Sequence, residues 1–144
     1  MALGFFRDPA LSRRALALVA GDEFDVRETQ GILRVALSRP ETRGVAWAFY
    51  REHFDGLAAR LRSDDVGHLI DLVGVLCDAT QRAEAEALLG PRVKQLEGGQ
   101  RALTRALESI QLCLEADARH GQSVQEFLRA QAPGPRAPPK TPGR

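Results

Sequence analysis

Apolar residues recur at helical spacing in one segment after another of this chain, and no segment alternates apolar and polar residues as a strand would. The best-organised segment is residues 98–117, GGQRALTRALESIQLCLEAD. Its predicted inward face consists of Leu103, Ala106, Leu107, Ile110, Cys113 and Leu114. A period of about 3.6 residues is incompatible with a strand, whose side chains alternate with a period of about 2. The sequence therefore predicts an all-α fold.

Residues typical of helix N-termini divide the chain into seven predicted helices. The predicted starts fall near residues 8, 26, 41, 64, 79, 99 and 123. The predicted caps include Asp8 before Pro9, Asp78 with Gln81, and the capping boxes Ser38–Glu41 and Ser123–Glu126. Gly21, Gly90–Pro91 and Gly121 are predicted helix ends.

The spacing of these predicted helices indicates a repeat. Starts two helices apart differ by 33 to 44 residues, close to the pitch of roughly 40 residues found in helix-pair solenoids. One amphipathic pair cannot bury its apolar face alone, so successive pairs stack. We therefore predict stacked antiparallel helix pairs of the HEAT/armadillo type, an α-α superhelix.

The two ends of the chain differ from its middle. Residues 132–144, APGPRAPPKTPGR, contain five prolines in 13 residues and are predicted to be a disordered tail outside a helical domain of residues 1–131. A linker and a ligand for a proline-reading domain are alternatives for the tail. At the front, the uncapped apolar residues Leu3, Phe5 and Phe6 suggest the end of a helix that begins upstream.

The charge balance argues against a nucleic-acid partner. Lys and Arg together number 20, and Asp and Glu together number 19. Three of the basic residues lie in the tail, so residues 1–131 carry a formal charge of −2. A nucleic-acid-binding domain would show a basic excess. No segment approaches the roughly 18 apolar residues of a membrane span, so neither nucleic acid nor membrane is a predicted partner.

Cys77 and Cys113 lie 36 residues apart without a C-x-x-C motif. Both lie among apolar residues at core spacing, and free cysteine packs as a small hydrophobic side chain. We therefore predict two buried free thiols and a reducing, cytoplasmic location.

The residues that could carry chemistry are scattered. His53, His68 and His120 fall on different predicted helices, and H-E-x-x-H is absent from the sequence. Glu23 and Asp25 lie in a predicted loop without a basic partner, and a solvated pair is the favoured interpretation. The sequence predicts no catalytic, cofactor-binding or metal-binding residue in this chain.

The longest helical segment carries a stripe of large side chains beside two glycines. Trp47, Tyr50, Phe54 and Leu57 share one face, and Trp47 is predicted to anchor the core. Each glycine within a helix costs about 1 kcal/mol relative to alanine. Gly44 and Gly56 in this segment are therefore interpreted as sites of close helix contact.

Three stretches, in order and at matching spacing, resemble the C-terminal helical domain of the gluzincin zinc aminopeptidases. They are RDPALSRRALAL, RPETRGVAWAFYREHFDGL and GGQRALTRALESIQLCLEADARHGQSVQEFL. This family includes the alanyl, puromycin-sensitive and endoplasmic-reticulum aminopeptidases. The resemblance covers nearly all of residues 2–130 and places Arg43, Trp47, Arg101 and Glu108 at family positions of structural type. Their motif positions suggest an ion pair between Arg43 and Glu108.

The resemblance implies a HEAT-like, non-catalytic domain of a zinc-dependent aminopeptidase. Such a domain shapes the internal peptide-binding cavity and restricts access to an active site on another domain or chain. The implied partners are a peptide substrate and a catalytic aminopeptidase domain, which would hold the zinc. The family's H-E-x-x-H and G-x-M-E-N motifs are absent from this sequence, and the proline-rich tail departs from the family. A stand-alone helical-repeat interaction module and an inert remnant are the alternatives.

Overall fold

The computed structural model describes residues 2–131, and all regular elements in this range are helical. The α-helices are α1 (Pro9–Ala20), α2 (Val26–Ser38), α3 (Pro40–Ala59), α4 (Val66–Asp71), α5 (Ala79–Val93) and α6 (Gly99–Gln131). Short 3₁₀ helices span Ala2–Phe5 and Leu72–Val75. The all-α prediction is confirmed. The predicted disordered tail lies outside the described residues, and the domain boundary before it stays a prediction.

The described residues divide into two units, one that ends at Leu114 and one that begins at Glu115. In the first unit, α1 contacts α2 and α3, and α2 contacts α3 and the 3₁₀ helix that follows α4. Thus α1 and α3, which are two helices apart in the chain, are neighbours, and α2 neighbours the extension of α4. This arrangement is consistent with an α-helical repeat superhelix. The described part of the second unit is the last portion of α6, in which Val124, Phe127 and Leu128 are exposed.

The aromatic stripe of α3 lies at the centre of the first unit. Trp47, Tyr50, Phe54 and Leu57 are all buried, so the core position predicted for Trp47 is confirmed. The Tyr50 hydroxyl donates a hydrogen bond to the carbonyl oxygen of Leu69 at 3.1 Å, and burial raises the pKa of this phenol. The stripe therefore joins α3 to α4 through both apolar packing and a buried hydrogen bond.

The N-terminal segment is a short 3₁₀ helix packed on α2, where the sequence suggested the end of a longer helix. Gly4 is buried, and a Cβ there would lie 3.0 Å from the Val35 Cβ and 3.2 Å from the Ile32 backbone. Phe6 packs against the core, whereas Leu3 and Phe5 are exposed. The absence of a side chain at Gly4 lets this segment approach α2 closely.

Two predicted helix ends are wrong. α5 continues through Gly90 and Pro91 to Val93, and α6 continues through Gly121 to Gln131. Pro91 lies in the last turn of α5, where the missing N–H removes only one backbone hydrogen bond, and buried Leu89 and Val93 hold that turn against the core.

The predicted capping box at Ser123 and Glu126 is also wrong, because both residues lie inside α6. The Ser123 hydroxyl donates to the carbonyl oxygen of His120 at 2.9 Å. The Glu126 carboxylate accepts a hydrogen bond from Gln122 Nε2 at 3.0 Å. Glycine costs only about 1 kcal/mol within a helix, so Gly121 does not end a long helix.

Of the other predicted helix caps, those at Asp8 and Asp78 are confirmed and the one at Ser38 is wrong. The Asp8 carboxylate accepts hydrogen bonds from the first-turn amides of α1, and the Asp78 carboxylate accepts from the Gln81 amide at 2.8 Å. Ser38 instead ends α2 and donates to Val35, so its capping box is wrong. Gly21 has an extended backbone with φ −70°, where a left-handed conformation was predicted.

Cys77 and Cys113 form a disulfide with a Cα–Cα distance of 5.5 Å. It joins the loop before α5 to α6, and Cys113 is exposed. The prediction of two buried free thiols is therefore wrong. Periodicity along one helix cannot show that a residue of a different element lies within bonding distance.

Two consecutive glycines form the corner between α5 and α6. Gly98 has φ 68°, a left-handed conformation that favours glycine. A Cβ at Gly99 would lie 2.9 Å from the Leu96 Cβ and 3.0 Å from the Val93 carbonyl oxygen. These two positions explain the glycine pair that opens the best-organised segment of the sequence.

Gly44 and Gly56 do not make the close helix contacts that the sequence suggested, because a Cβ at either position would meet no atom within 4 Å.

Replacing Gly44 with alanine is expected to stabilise the protein by roughly 0.5–1 kcal/mol, since alanine favours the helix and the added methyl group meets open space. Urea unfolding followed by circular dichroism measures this change. Gly99→Ala is the matched control and should destabilise; a destabilised Gly44→Ala variant would contradict the prediction.

Candidate functional site

Two adjoining cavities lie in the first unit between α2, α4 with its 3₁₀ extension, and α6. Their volumes are about 300 and 260 Å³, and Arg34 and Asp71 line both of them. We call this surface the Arg34 groove. Its polar lining consists of Arg27, Glu28, Gln30, Arg34, His68, Asp71, Arg105 and Ser109.

Arg27 at one end of the groove is neutralised by Asp25, the N-cap residue of α2. The guanidinium contacts the carboxylate at 2.6–3.1 Å through three atom pairs, and the carboxylate also accepts the Arg27 backbone amide at 2.8 Å. The hydrogen bonds from Arg27 lower the pKa of Asp25 to about 2. Both groups are thus charged at neutral pH. Because the Arg27 guanidinium already donates to Asp25, it is less available to bind an anionic ligand.

Arg105 on α6 is paired in the same way with Asp71 on α4. Arg105 Nε donates to Asp71 Oδ1 at 3.2 Å, and Nη2 donates to Oδ2. Such a bidentate pair fixes the orientation of the guanidinium and of the carboxylate. It joins the last residue of α4 to α6 across the groove.

Arg34 is the arginine of the groove whose charge is available. It is exposed, and no acidic side chain in the described part of the chain forms an ion pair with it. Gln30 lies one turn before it, and its amide oxygen is buried without a hydrogen-bond donor from residues 2–131. A planar guanidinium suits a carboxylate, which accepts two parallel N–H bonds. The groove therefore offers a cationic donor, the Arg34 guanidinium, to an anionic ligand.

The four family positions named from the sequence do not form one site. Arg43 donates to the carbonyl oxygens of Leu37 at 3.1 Å and Ser38 at 3.4 Å, where it satisfies the C-terminus of α2. The predicted Arg43–Glu108 ion pair does not form. Trp47 is buried, Arg101 is exposed in the first turn of α6, and Glu108 lines a different groove, between α5 and α6.

Sequence reasoning missed the Arg34 groove. Arg27 and Arg34 are seven residues apart and so share a face of α2, which is a visible but common signal. His68, Asp71 and Arg105 come from two other helices, and their proximity depends on the stacking of helices distant in sequence.

No group of three or more His, Cys, Asp or Glu side chains suited to a metal ion occurs within residues 2–131. No helix in the same range is both long and apolar enough to cross a membrane.

The fold and groove define an all-α domain of stacked helices with a polar surface groove. Residues 1–112 match the family model described as the ERAP1-like C-terminal domain, and the chain belongs to this family. This agrees with the resemblance found in the sequence and is consistent with the C-terminal domain of M1 aminopeptidases. Searches of curated proteins and of solved structures each gave no match.

Proposed function

We propose that this chain is the non-catalytic, HEAT-like C-terminal domain of a zinc-dependent aminopeptidase. In this role it shapes the internal peptide-binding cavity and restricts access to an active site carried by another domain or chain. Family membership over residues 1–112 supports the association with a catalytic domain. The Arg34 groove supports the contact with peptide.

The single observation that carries the peptide-binding role is the exposed guanidinium of Arg34, which forms no ion pair among the described residues, in a groove whose other two arginines are paired. A peptide bound with its amino end at a distant active site presents a carboxylate at its other end. Arg34 would donate two N–H bonds to that carboxylate. This contact would hold the peptide away from the scissile bond, which is a positioning role.

Binding of a fluorescent peptide of about ten residues tests this role. The peptide with a free C-terminal carboxylate is expected to bind at least about 10-fold more tightly than its C-terminal amide, because a charge-assisted hydrogen bond is worth roughly 1.5–3 kcal/mol. Arg34→Gln should remove this difference. The measurement is fluorescence anisotropy at low ionic strength, with circular dichroism to verify folding.

Arg101→Gln is the matched control, because Arg101 is also an exposed arginine and lies outside the lining of the groove. It should retain the preference for the carboxylate. Equal affinity of the two peptides for the unmodified chain, or equal losses in both variants, would contradict the assignment to Arg34.

A stand-alone helical-repeat interaction module is the second candidate. It is favoured by the larger and more apolar groove between α5 and α6, which includes Leu103, Leu107 and the exposed Leu112. An aminopeptidase domain and an interaction module differ in their need for a catalytic partner. Co-purification of the chain with a polypeptide that carries H-E-x-x-H would favour the first candidate.

The cytoplasmic location stays a prediction, and the disulfide removes its premise. Disulfides persist mainly in oxidising compartments, whereas the prediction assumed free thiols. Trapping of thiols in intact cells with a mass-tagged alkylating reagent, followed by mass measurement, distinguishes bonded from free Cys77 and Cys113.

A further inference from the structure

The disulfide lies at one end of a series of three contacts that join two walls of the Arg34 groove. One wall is residues 71–77, which include the 3₁₀ extension of α4, and the other is residues 105–113 of α6. The first residues of the two walls form an ion pair, and their last residues form the disulfide. Since the residue numbers rise together along the two walls, the two segments run in the same direction.

The two noncovalent contacts of this series are individually weak. At the middle level, a Cβ on Gly74 would lie 3.4 Å from the Ala106 Cα and 3.5 Å from the Ser109 Cβ, so the contact there is one of close packing. At the first level, the Arg105 side chain is 61% exposed, and an exposed ion pair contributes little by itself. The disulfide is therefore the contact that holds α6 most firmly against the other wall of the groove.

Asp71 is the residue through which the two walls affect Arg34. Asp71 and Arg34 both line both cavities of the groove, so their side chains face the same space. The Asp71 carboxylate accepts hydrogen bonds from two nitrogen atoms of Arg105. Without Arg105, this carboxylate would be an anion beside the unpaired Arg34 guanidinium, and opposite charges at short range attract. The position of α6 thus decides which arginine Asp71 pairs with.

We propose that the Cys77–Cys113 disulfide is a redox switch of the Arg34 groove, an inference that rests on the proposed peptide-binding function. In the disulfide form, α6 holds Arg105 on Asp71, and Arg34 is free to bind a carboxylate. In the dithiol form, the two walls separate from the cysteine end, and Asp71 pairs with Arg34. The carboxylate of the peptide then loses its partner.

The exposed end of the bond suits a small-molecule thiol as the reductant. Cys113 is exposed, whereas Cys77 is half-buried. A thiolate attacks the Cys113 sulfur, forms a mixed disulfide with it and releases the Cys77 thiolate, and a second thiol then attacks the external sulfur of the mixed disulfide. The products are two cysteine thiols and one external disulfide. Two electrons and two protons thus pass from the two external thiols to the protein.

Binding of the carboxylate and amide forms of the fluorescent peptide in both redox states tests the proposal. The disulfide form is expected to prefer the carboxylate. After reduction with dithiothreitol, the two peptides should bind with affinities within a factor of about 2. Circular dichroism should show that the reduced chain keeps its helices, and reoxidation should restore the preference.

Three variants test the exchange of partners at Asp71. Arg105→Gln keeps the disulfide but releases Asp71, so it should lose the preference for the carboxylate without any reductant. Asp71→Asn removes the competing anion, so its preference should be the same before and after reduction. Glu28→Gln is the matched control, because Glu28 is an acid that lines only one of the two cavities. Its preference should fall on reduction as in the unmodified chain.

Four results would overturn the proposal. They are a preference that survives reduction, a chain that unfolds on reduction, an Arg105→Gln variant that keeps the preference, and an Asp71→Asn variant that still responds to the reductant. If the disulfide form itself does not distinguish the two peptides, the assignment of the carboxylate to Arg34 fails as well. Failure of the switch alone is therefore distinguishable from failure of the proposed function.

Discussion

Replacing Trp47 with alanine should lower the free energy of unfolding by roughly 3–5 kcal/mol, the cost typical of truncating a buried aromatic side chain. Trp47 is 3% exposed and stacks on Tyr50 with ring centroids 5.5 Å apart. Its indole Nε1 donates to the Glu84 carboxylate at 2.5 Å, which joins α3 to α5. Truncation removes the packing and also the hydrogen bond to Glu84, which among residues 2–131 then keeps the contact from Arg51 at 3.3 Å. Urea unfolding followed by circular dichroism measures the loss, because the variant lacks the chain's single tryptophan.

Two further variants separate the packing of Trp47 from its hydrogen bond. Trp47→Phe keeps an aromatic ring but removes the donor, and its cost should be smaller, on the order of 1–2 kcal/mol. Phe24→Ala truncates an aromatic residue that is 44% exposed and should change the free energy of unfolding by less than about 0.5 kcal/mol. Equal effects of Trp47→Ala and Phe24→Ala would show that Trp47 does not anchor the core.

The helices of this protein could be predicted from the sequence because the signals are local. Asp8 and Asp78 cap the helices that their spacing indicated, and the stripe from Trp47 to Leu57 is buried as its period requires. The errors at Pro91 and Gly121 have a common physical cause. Both residues are unfavourable within helices, but a penalty of one to a few kcal/mol is outweighed where packing or a long helix holds the turn.

The Arg34 groove and the disulfide could not be predicted because both depend on contacts between distant elements. Arg105 and Asp71 are 34 residues apart, and Cys77 and Cys113 are 36 residues apart. A periodic pattern places each residue on a face of its own helix but does not show which faces meet. No pattern in the sequence distinguished Arg34 from the other arginines. Arg34 differs from Arg27 and Arg105 because those two form ion pairs with Asp25 and Asp71, and these pairs are visible only in the structure.

The family resemblance supplied what the local pattern could not. The stretches that contain Trp47 and Arg101 indicated the family that the match over residues 1–112 then showed. The resemblance also suggested an Arg43–Glu108 ion pair, which was wrong because Arg43 binds the carbonyl oxygens at the end of α2. A family match thus identifies the domain more reliably than it assigns individual side-chain contacts.

Removing the disulfide should lower the free energy of unfolding by about 4 kcal/mol in the chain-entropy treatment, since the bond closes a loop of intermediate length in the unfolded chain. The bond joins residues with a sequence separation of 36. It also ties the loop before α5 to α6, where Ala102, Leu103, Ala106 and Ile110 are buried. The double variant Cys77→Ser/Cys113→Ser is compared with the unmodified chain by urea unfolding under non-reducing conditions.

A reductant provides the control for this second prediction, because it breaks the bond without changing the sequence. It should destabilise the unmodified chain by about the same amount as the double substitution, and it should leave the double variant unchanged. Alkylation before and after reduction then counts free thiols by mass. Two reactive thiols in the folded, unreduced chain, together with no effect of the reductant on unfolding, would show that Cys77 and Cys113 are not bonded. That result would support the prediction, made from the sequence, of free thiols in a reducing compartment.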